Sequence, residues 1–226
     1  MPVLNIHTHY PSADPQLLEI ESLYFGQSAP GSSPWRSAGL HPWYLDFPDL
    51  GLAEHWLREQ AARPGALAIG EAGLDKHRGA AWPLQVQAFE CCLRVAADTR
   101  KPLVLHCVKA HDEVLGMLRR YALPAVFHGF DKHPQLAARL WEAGYGLSFG
   151  AALFNSRSHA AEALRQTPAD HFFLETDDKK LDIRAVYERA AAIRGSTPEK
   201  LQAQVWENFQ NIGGSILLPG KNDDSI

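Results

Sequence analysis

Short apolar runs alternate with longer segments whose apolar residues recur every three or four positions. Residues 1–9 read as a first strand, and Leu17-Leu18-Glu19-Ile20-Glu21-Ser22-Leu23-Tyr24-Phe25 contains a second. Gln27 to Pro34, rich in Gly, Ser and Pro, reads as a loop, and Ser37 to Trp43 as a short run ending in a His-Pro corner. Leu50, Ala53, Trp56, Leu57 and Ala61 then predict a helix over 49–63, closed by Pro64-Gly65. Further runs at Ala66–Asp75, Pro102–His106, Ala125–His128, Tyr145–Phe149 and His171–Asp177 alternate with helical spacing over 83–99, 111–121, 134–143 and 158–165. Two more helices are predicted over 182–194 and 198–211, the second opened by Thr197-Pro198.

Strand and helix in alternation are the mark of repeated βαβ units around a parallel sheet, and about eight strands is the number of a TIM-type (β/α)8 barrel. No linker or low-complexity tract divides the chain. The expectation is therefore one barrel over 1–219 followed by a polar tail, 220–226.

In such barrels the functional groups gather where strands end. His7 and His9, His41, Glu71, His106, His128 and Asp177 all read as strand-end residues. Along a strand His7 and His9 share a face, about 7 Å apart, close enough to meet one divalent ion. Each residue also has a plain reading. A lone His-x-His arises by chance, His106 and His128 could be ordinary core or surface histidines, Glu71 could cap a helix, and Asp177 could cap the one over 182–194. Six such coincidences on one face are harder to accept than one metal centre. Four or more histidines with two acids suffice for two ions bridged by a carboxylate such as Glu71, with Asp177 accepting a proton from the attacking water.

Composition narrows the picture. The 226 residues are 46% hydrophobic and 21% charged, as in a globular protein with a full core. A net charge of −4 argues against a generally basic nucleic-acid-coating protein, though not against a local basic rim. No apolar run approaches the ~18 residues of a membrane span, and the chain opens on a strand rather than a secretory leader. Three cysteines, two of them adjacent, form no disulfide framework and read as reduced thiols of a cytoplasmic protein.

The elements Asn5-Ile6-His7-Thr8-His9, Gly39-Leu40-His41-Pro42, Gly70-Glu71-Ala72-Gly73-Leu74-Asp75, Pro102-Leu103-Val104-Leu105-His106, Phe127-His128-Gly129-Phe130, Leu174-Glu175-Thr176-Asp177 and Glu207-Asn208-Phe209 resemble, in order, those of the TatD family of metal-dependent hydrolases. The resemblance implies an amidohydrolase-like barrel with two divalent ions (Mg, Mn or Zn), commonly a deoxyribonuclease. It places His7, His9 and Asp177 on one ion, Glu71 between the two, and His106 and His128 on the second. His41 would touch the substrate phosphate, and Glu175 would orient a ligand or water.

Several positions depart from the family pattern. Asn5 replaces the usual Asp. Cys107-Val108-Lys109 follows His106 where Ser or Cys and then Arg are usual, leaving Lys109 as the candidate phosphate contact. Asp131-Lys132 and Asp178-Lys179 replace small residues. Residues 10–40 are too few for the usual two helices and a strand, so the first βα unit should be shortened, its helix lost.

The leading expectation is a phosphodiesterase acting 3′ to 5′ on single-stranded DNA. Lys109, Lys132, Arg157, Lys179 and Lys180 would form its rim, with Trp43, Phe130 and Phe154 available for base stacking. The alternatives are a hydrolase of a small ester, amide or phosphate, and a barrel that has lost its chemistry and serves as a scaffold. Oligomeric state is left open.

Overall fold

The computed structural model describes residues 1–27, 32–46 and 49–213. Part of the expected Gln27–Pro34 loop and the expected polar tail fall outside them. Eight strands form in the order β1 (Val3–Thr8), β2 (Leu17–Tyr24), β3 (Arg36–Gly39), β4 (Ala66–Asp75), β5 (Leu103–Val108), β6 (Ala125–Phe127), β7 (Gly146–Phe149) and β8 (Phe172–Leu174). Their order in the sheet is their order in the chain. With the intervening helices this is the TIM-type (β/α)8 fold.

The described chain divides into two compact units, residues 1–21 with 126–211, and 22–125. In the first, β6, β7 and β8 pair in parallel, and β8 leads back to β1. Asp177 N donates to His7 O at 3.1 Å and His9 N to Asp177 O at 3.0 Å, so the histidine pair and the acid are tied through their own backbones. In the second unit β3, β4 and β5 are parallel neighbours.

The helices stop and start where local chemistry directs. In α1 (Leu50–Ala61), Asp49 caps the first turn by accepting from Gly51 N at 2.7 Å. The helix α2 (Trp82–Thr99) carries Pro83 in its first turn and buries Phe89, Cys92 and Leu93. After α3 (His111–Leu118), α4 (Pro134–Glu142) and α5 (Ala160–Gln166), the helix α6 (Ile183–Arg194) is capped by Asp182, not by Asp177, and ends on left-handed Gly195. In α7 (Pro198–Asn211), Asn208 donates to Ala169 O and Phe172 O, both at 2.8 Å, which fastens the helix to the start of β8.

The shortened first unit is present as expected. Between β1 and β2 the chain turns back on Asp14, which accepts from Leu17 N at 3.1 Å through its carbonyl and from Gln16 N at 2.8 Å through its carboxylate. No helix intervenes. Among the described residues none lies between β2 and β3 either.

Two expectations of placement are corrected. Glu71 and His106 are not at strand ends: β4 continues to Asp75 and β5 to Val108, pairing as Gly73 with His106 and Asp75 with Val108. The reason is the absence of Cβ atoms beside Glu71. Gly70 and Gly73 have φ of 149° and 147°, and a Cβ on them would meet Val104 O at 2.5 Å and His106 O at 2.0 Å. The backbones thus approach closely enough to keep pairing past the carboxylate. No helix among the described residues is long and apolar enough to cross a membrane.

Candidate metal centre

In the first unit, β1 and the residue after it supply His7 and His9. His7 is fully buried, its ring centroid 5.0 Å from that of His9 and 4.5 Å from that of His128, just past β6. Asp177 Oδ1 lies 3.5 Å from His7 Nε2 and 3.8 Å from His9 Nε2. One ligand atom each from His7, His128 and Asp177 lies within 4.8 Å of the others, so one cation could reach all three. Asp177 adopts φ of 53°, a left-handed conformation that Asp tolerates better than most residues. Glu175 supports this cluster from behind: its Oε1 accepts from Gly129 N at 2.8 Å and lies 3.5 Å from His128 Nδ1.

In the second unit, Glu71 Oε1 lies 2.9 Å from His41 Nε2 and 2.8 Å from His106 Nδ1, all three side chains buried. The backbone fixes one tautomer. Trp43 N donates to His41 Nδ1 at 3.0 Å, so that nitrogen is an acceptor and Nε2 carries the proton toward Glu71.

His106 is held at both ends, since Nε2 lies 3.1 Å from Asp75 Oδ2. A neutral imidazole carries one proton for these two carboxylates, and the negative charge gathered around it suits a cation. This donor set, neutral imidazole with carboxylate, suits Zn²⁺, Mn²⁺ or, with added oxygens, Mg²⁺. The residues fit a metal.

Asp75 was not assigned a part from the sequence. Burial pushes its carboxyl up, but hydrogen bonds from His106, from the Trp43 indole at 2.7 Å and from the His77 and Arg78 amides hold it below the usual range. The available signal was its position: it closes the Gly-Glu-Ala-Gly-Leu-Asp run, four residues beyond Glu71 in the same strand, where side chains return to one face.

The proposed rim fares less uniformly. Phe130 is not a stacking residue. It is 4% exposed and its ring sits 5.8 Å from that of Phe149, while its backbone N donates to Ser148 O. Lys132 pairs with Asp131 at 2.6 Å and Lys179 with Asp178 at 2.7 Å, so both charges are partly spent locally. Lys109, Arg157 and Phe154 are exposed, and Lys180 lies 5.3 Å from the ring of Tyr10.

The model of the family described as TatD related DNase matches residues 21–213. The chain belongs to this TatD family. A 3′-5′ ssDNA/RNA exonuclease TatD from Erwinia billingiae is 31% identical, the match covering 79% of this chain and 77% of that protein. An uncharacterized metal-dependent hydrolase of Escherichia coli K12 is 28% identical over 78% and 72%. Among solved structures, a TatD homologue from E. coli K12 superimposes with a TM-score of 0.69 at 22% identity, covering 79% of this chain and 76% of that one. A TatD-family hydrolase from Entamoeba histolytica gives 0.67 at 16%, over 78% and 74%. At these identities the structural matches speak to the fold alone.

Proposed function

We propose that the chain is a divalent-metal-dependent phosphodiesterase that trims single-stranded DNA from its 3′ end. The observation that carries the reading is the buried His106 imidazole lying between two carboxylates, Glu71 Oε1 at 2.8 Å and Asp75 Oδ2 at 3.1 Å. As the family resemblance implies, His7, His9, Glu71, His106, His128 and Asp177 would hold two divalent ions, Mg²⁺, Mn²⁺ or Zn²⁺. Bound there, divalent cations lower the pKa of water and offset the charge of the phosphate. The chain's own groups do the rest. Asp177 accepts the proton of the attacking water, Lys109 contacts the phosphate, and His41 reaches it by exchanging its Nε2 bond to Glu71 for one to a phosphate oxygen. Glu175 holds His128, and Asp75 holds His106.

A second reading, hydrolysis of a small ester or phosphate, is favoured by the buried Phe130 and the locally paired Lys132 and Lys179, which leave a thinner rim for a polymer. Metal-stripped protein reloaded with each ion separates the two. End-labelled single strands, duplexes and small phosphoesters are offered together. Stepwise shortening of single strands, abolished by His7→Ala with Asp177→Ala, supports the nuclease. Turnover of small esters alone replaces it with the second reading.

A further inference from the structure

The strand β4 runs into a short loop, residues 76–80, whose shape is set by Asp75. Oδ1 of Asp75 accepts from His77 N at 2.7 Å and Arg78 N at 3.0 Å. The loop is pressed against the segment after β3: Ala80 N donates to Pro42 O at 3.0 Å, and a Cβ on Gly79, whose φ is 105°, would meet that oxygen at 2.4 Å. The Arg78 side chain is thereby laid over Trp43, its guanidinium carbon 4.0 Å from the ring.

Trp43 is itself held. Its indole N–H donates to Asp75 Oδ2, and its ring lies 5.0 Å from that of His41 and 5.1 Å from that of His106. A chain of short contacts thus runs from the buried His41–Glu71–His106 cluster through Trp43 to an exposed guanidinium. Beside it opens a cavity of about 360 Å³ lined by Asp75, Lys76, His77, Arg78, Trp82 and Gln85.

The charge of Arg78 is available. Lys76, two residues earlier, is bonded to Glu113, whereas among the described residues no carboxylate lies within ion-pair distance of Arg78. A guanidinium stacked on an indole keeps its fork of donors at the edge, where it matches two oxygens of a phosphate, and stacking removes much of the rotamer freedom that binding would otherwise cost. Lys109, where an arginine is usual after His106, is a point charge without that fork.

We propose that Arg78, stacked on Trp43, is the phosphate-binding arginine of this protein. It takes the non-bridging oxygens of one phosphodiester of a single-stranded nucleic acid lying over the His41–Glu71–His106 cluster. The inference rests on the nuclease reading and deepens it by naming the side chain that holds a phosphate of the strand, since an uncharged ester gains nothing from this group.

The test uses the full chain and a fluorescein-labelled oligothymidylate, with binding followed by anisotropy in EDTA across a salt series and cleavage measured separately after metal addition. Arg78→Ala should weaken binding about tenfold, the scale of one charge-assisted contact. Its log–log salt slope should be shallower by about 0.7, the value for one phosphate of a single strand. KM should rise with kcat little changed. Arg78→Lys should restore the slope but not the full affinity. Folding is checked by the melting temperature, expected unchanged because the loop is held by backbone amides. An alanine variant with wild-type affinity and slope overturns the assignment while leaving the nuclease reading standing. A wild-type protein that neither binds nor cleaves the oligonucleotide overturns both.

Discussion

The Asn5 carboxamide donates from Nδ2 to Glu19 Oε1 at 3.1 Å and to Thr176 Oγ1 at 2.9 Å, while its Oδ1 accepts from Thr176 N at 3.1 Å. An amide supplies both donor and acceptor, as this position requires. The amide of Asn5 is thereby matched to a buried glutamate on β2. Asn5→Asp would set two carboxylates against each other. Destabilisation of about 2–3 kcal/mol at neutral pH is expected from the urea midpoint. The loss should shrink as the pH falls, because one proton neutralises the new pair.

Glu175→Gln removes the charge behind His128 but keeps an oxygen for Gly129 N. The expected result is a loss of metal affinity of about 10- to 100-fold, read by titration calorimetry, with the fold intact by circular dichroism. Unchanged affinity would make Glu175 a purely structural acceptor.

Glu54 on α1 accepts from Arg58 at 2.9 Å and from Arg94 of α2 at 2.7 Å, with the Cys91 thiol at 3.4 Å. Burial pushes its carboxyl up, and these hydrogen bonds outweigh that and bring it below its ordinary 4.5. A carboxyl lowered in the folded state stabilises above its unfolded value and ceases to as the pH falls through its folded value. Glu54→Gln should therefore cost about 1 kcal/mol at pH 7 and nothing measurable once the pH is well below 4.5. Paired denaturation curves at the two pH values decide it.

The thiols should differ in reactivity. Cys92 is fully buried, and burial pushes its thiol up to about 12; Cys91 is also buried, while Cys107 is partly exposed. A disulfide reagent at pH 8 should titrate only Cys107 in the native protein and all three cysteines in urea. Rapid native labelling of Cys92 would mean that α2 opens locally.

Much was legible from the residues alone. The alternation of runs and helices follows from periodicity, a property of neighbouring positions, whereas the loss of the first helix between residues 10 and 22 was legible only against the TatD pattern, and Asp75 was not legible as part of its cluster. Spacing also misleads where it is cut short. Glu71 and His106 looked like strand ends because each is the polar residue that follows an apolar run, yet backbone pairing does not require apolar side chains and continues past both. Phe130 resembled a stacking residue beside His128, but its ring is buried against Phe149.

The sequence by itself determined which residue types stand at which strand positions, because a two-residue or 3.6-residue repeat is written locally. Only the tertiary structure decided which atoms meet. That Asn5 reaches Thr176, 171 positions along, that Asp75 takes the far nitrogen of His106, and that Arg78 lies on Trp43 are distances between segments brought together by packing. Contacts of that kind depend on the summed geometry of every intervening turn, and no local repeat encodes them.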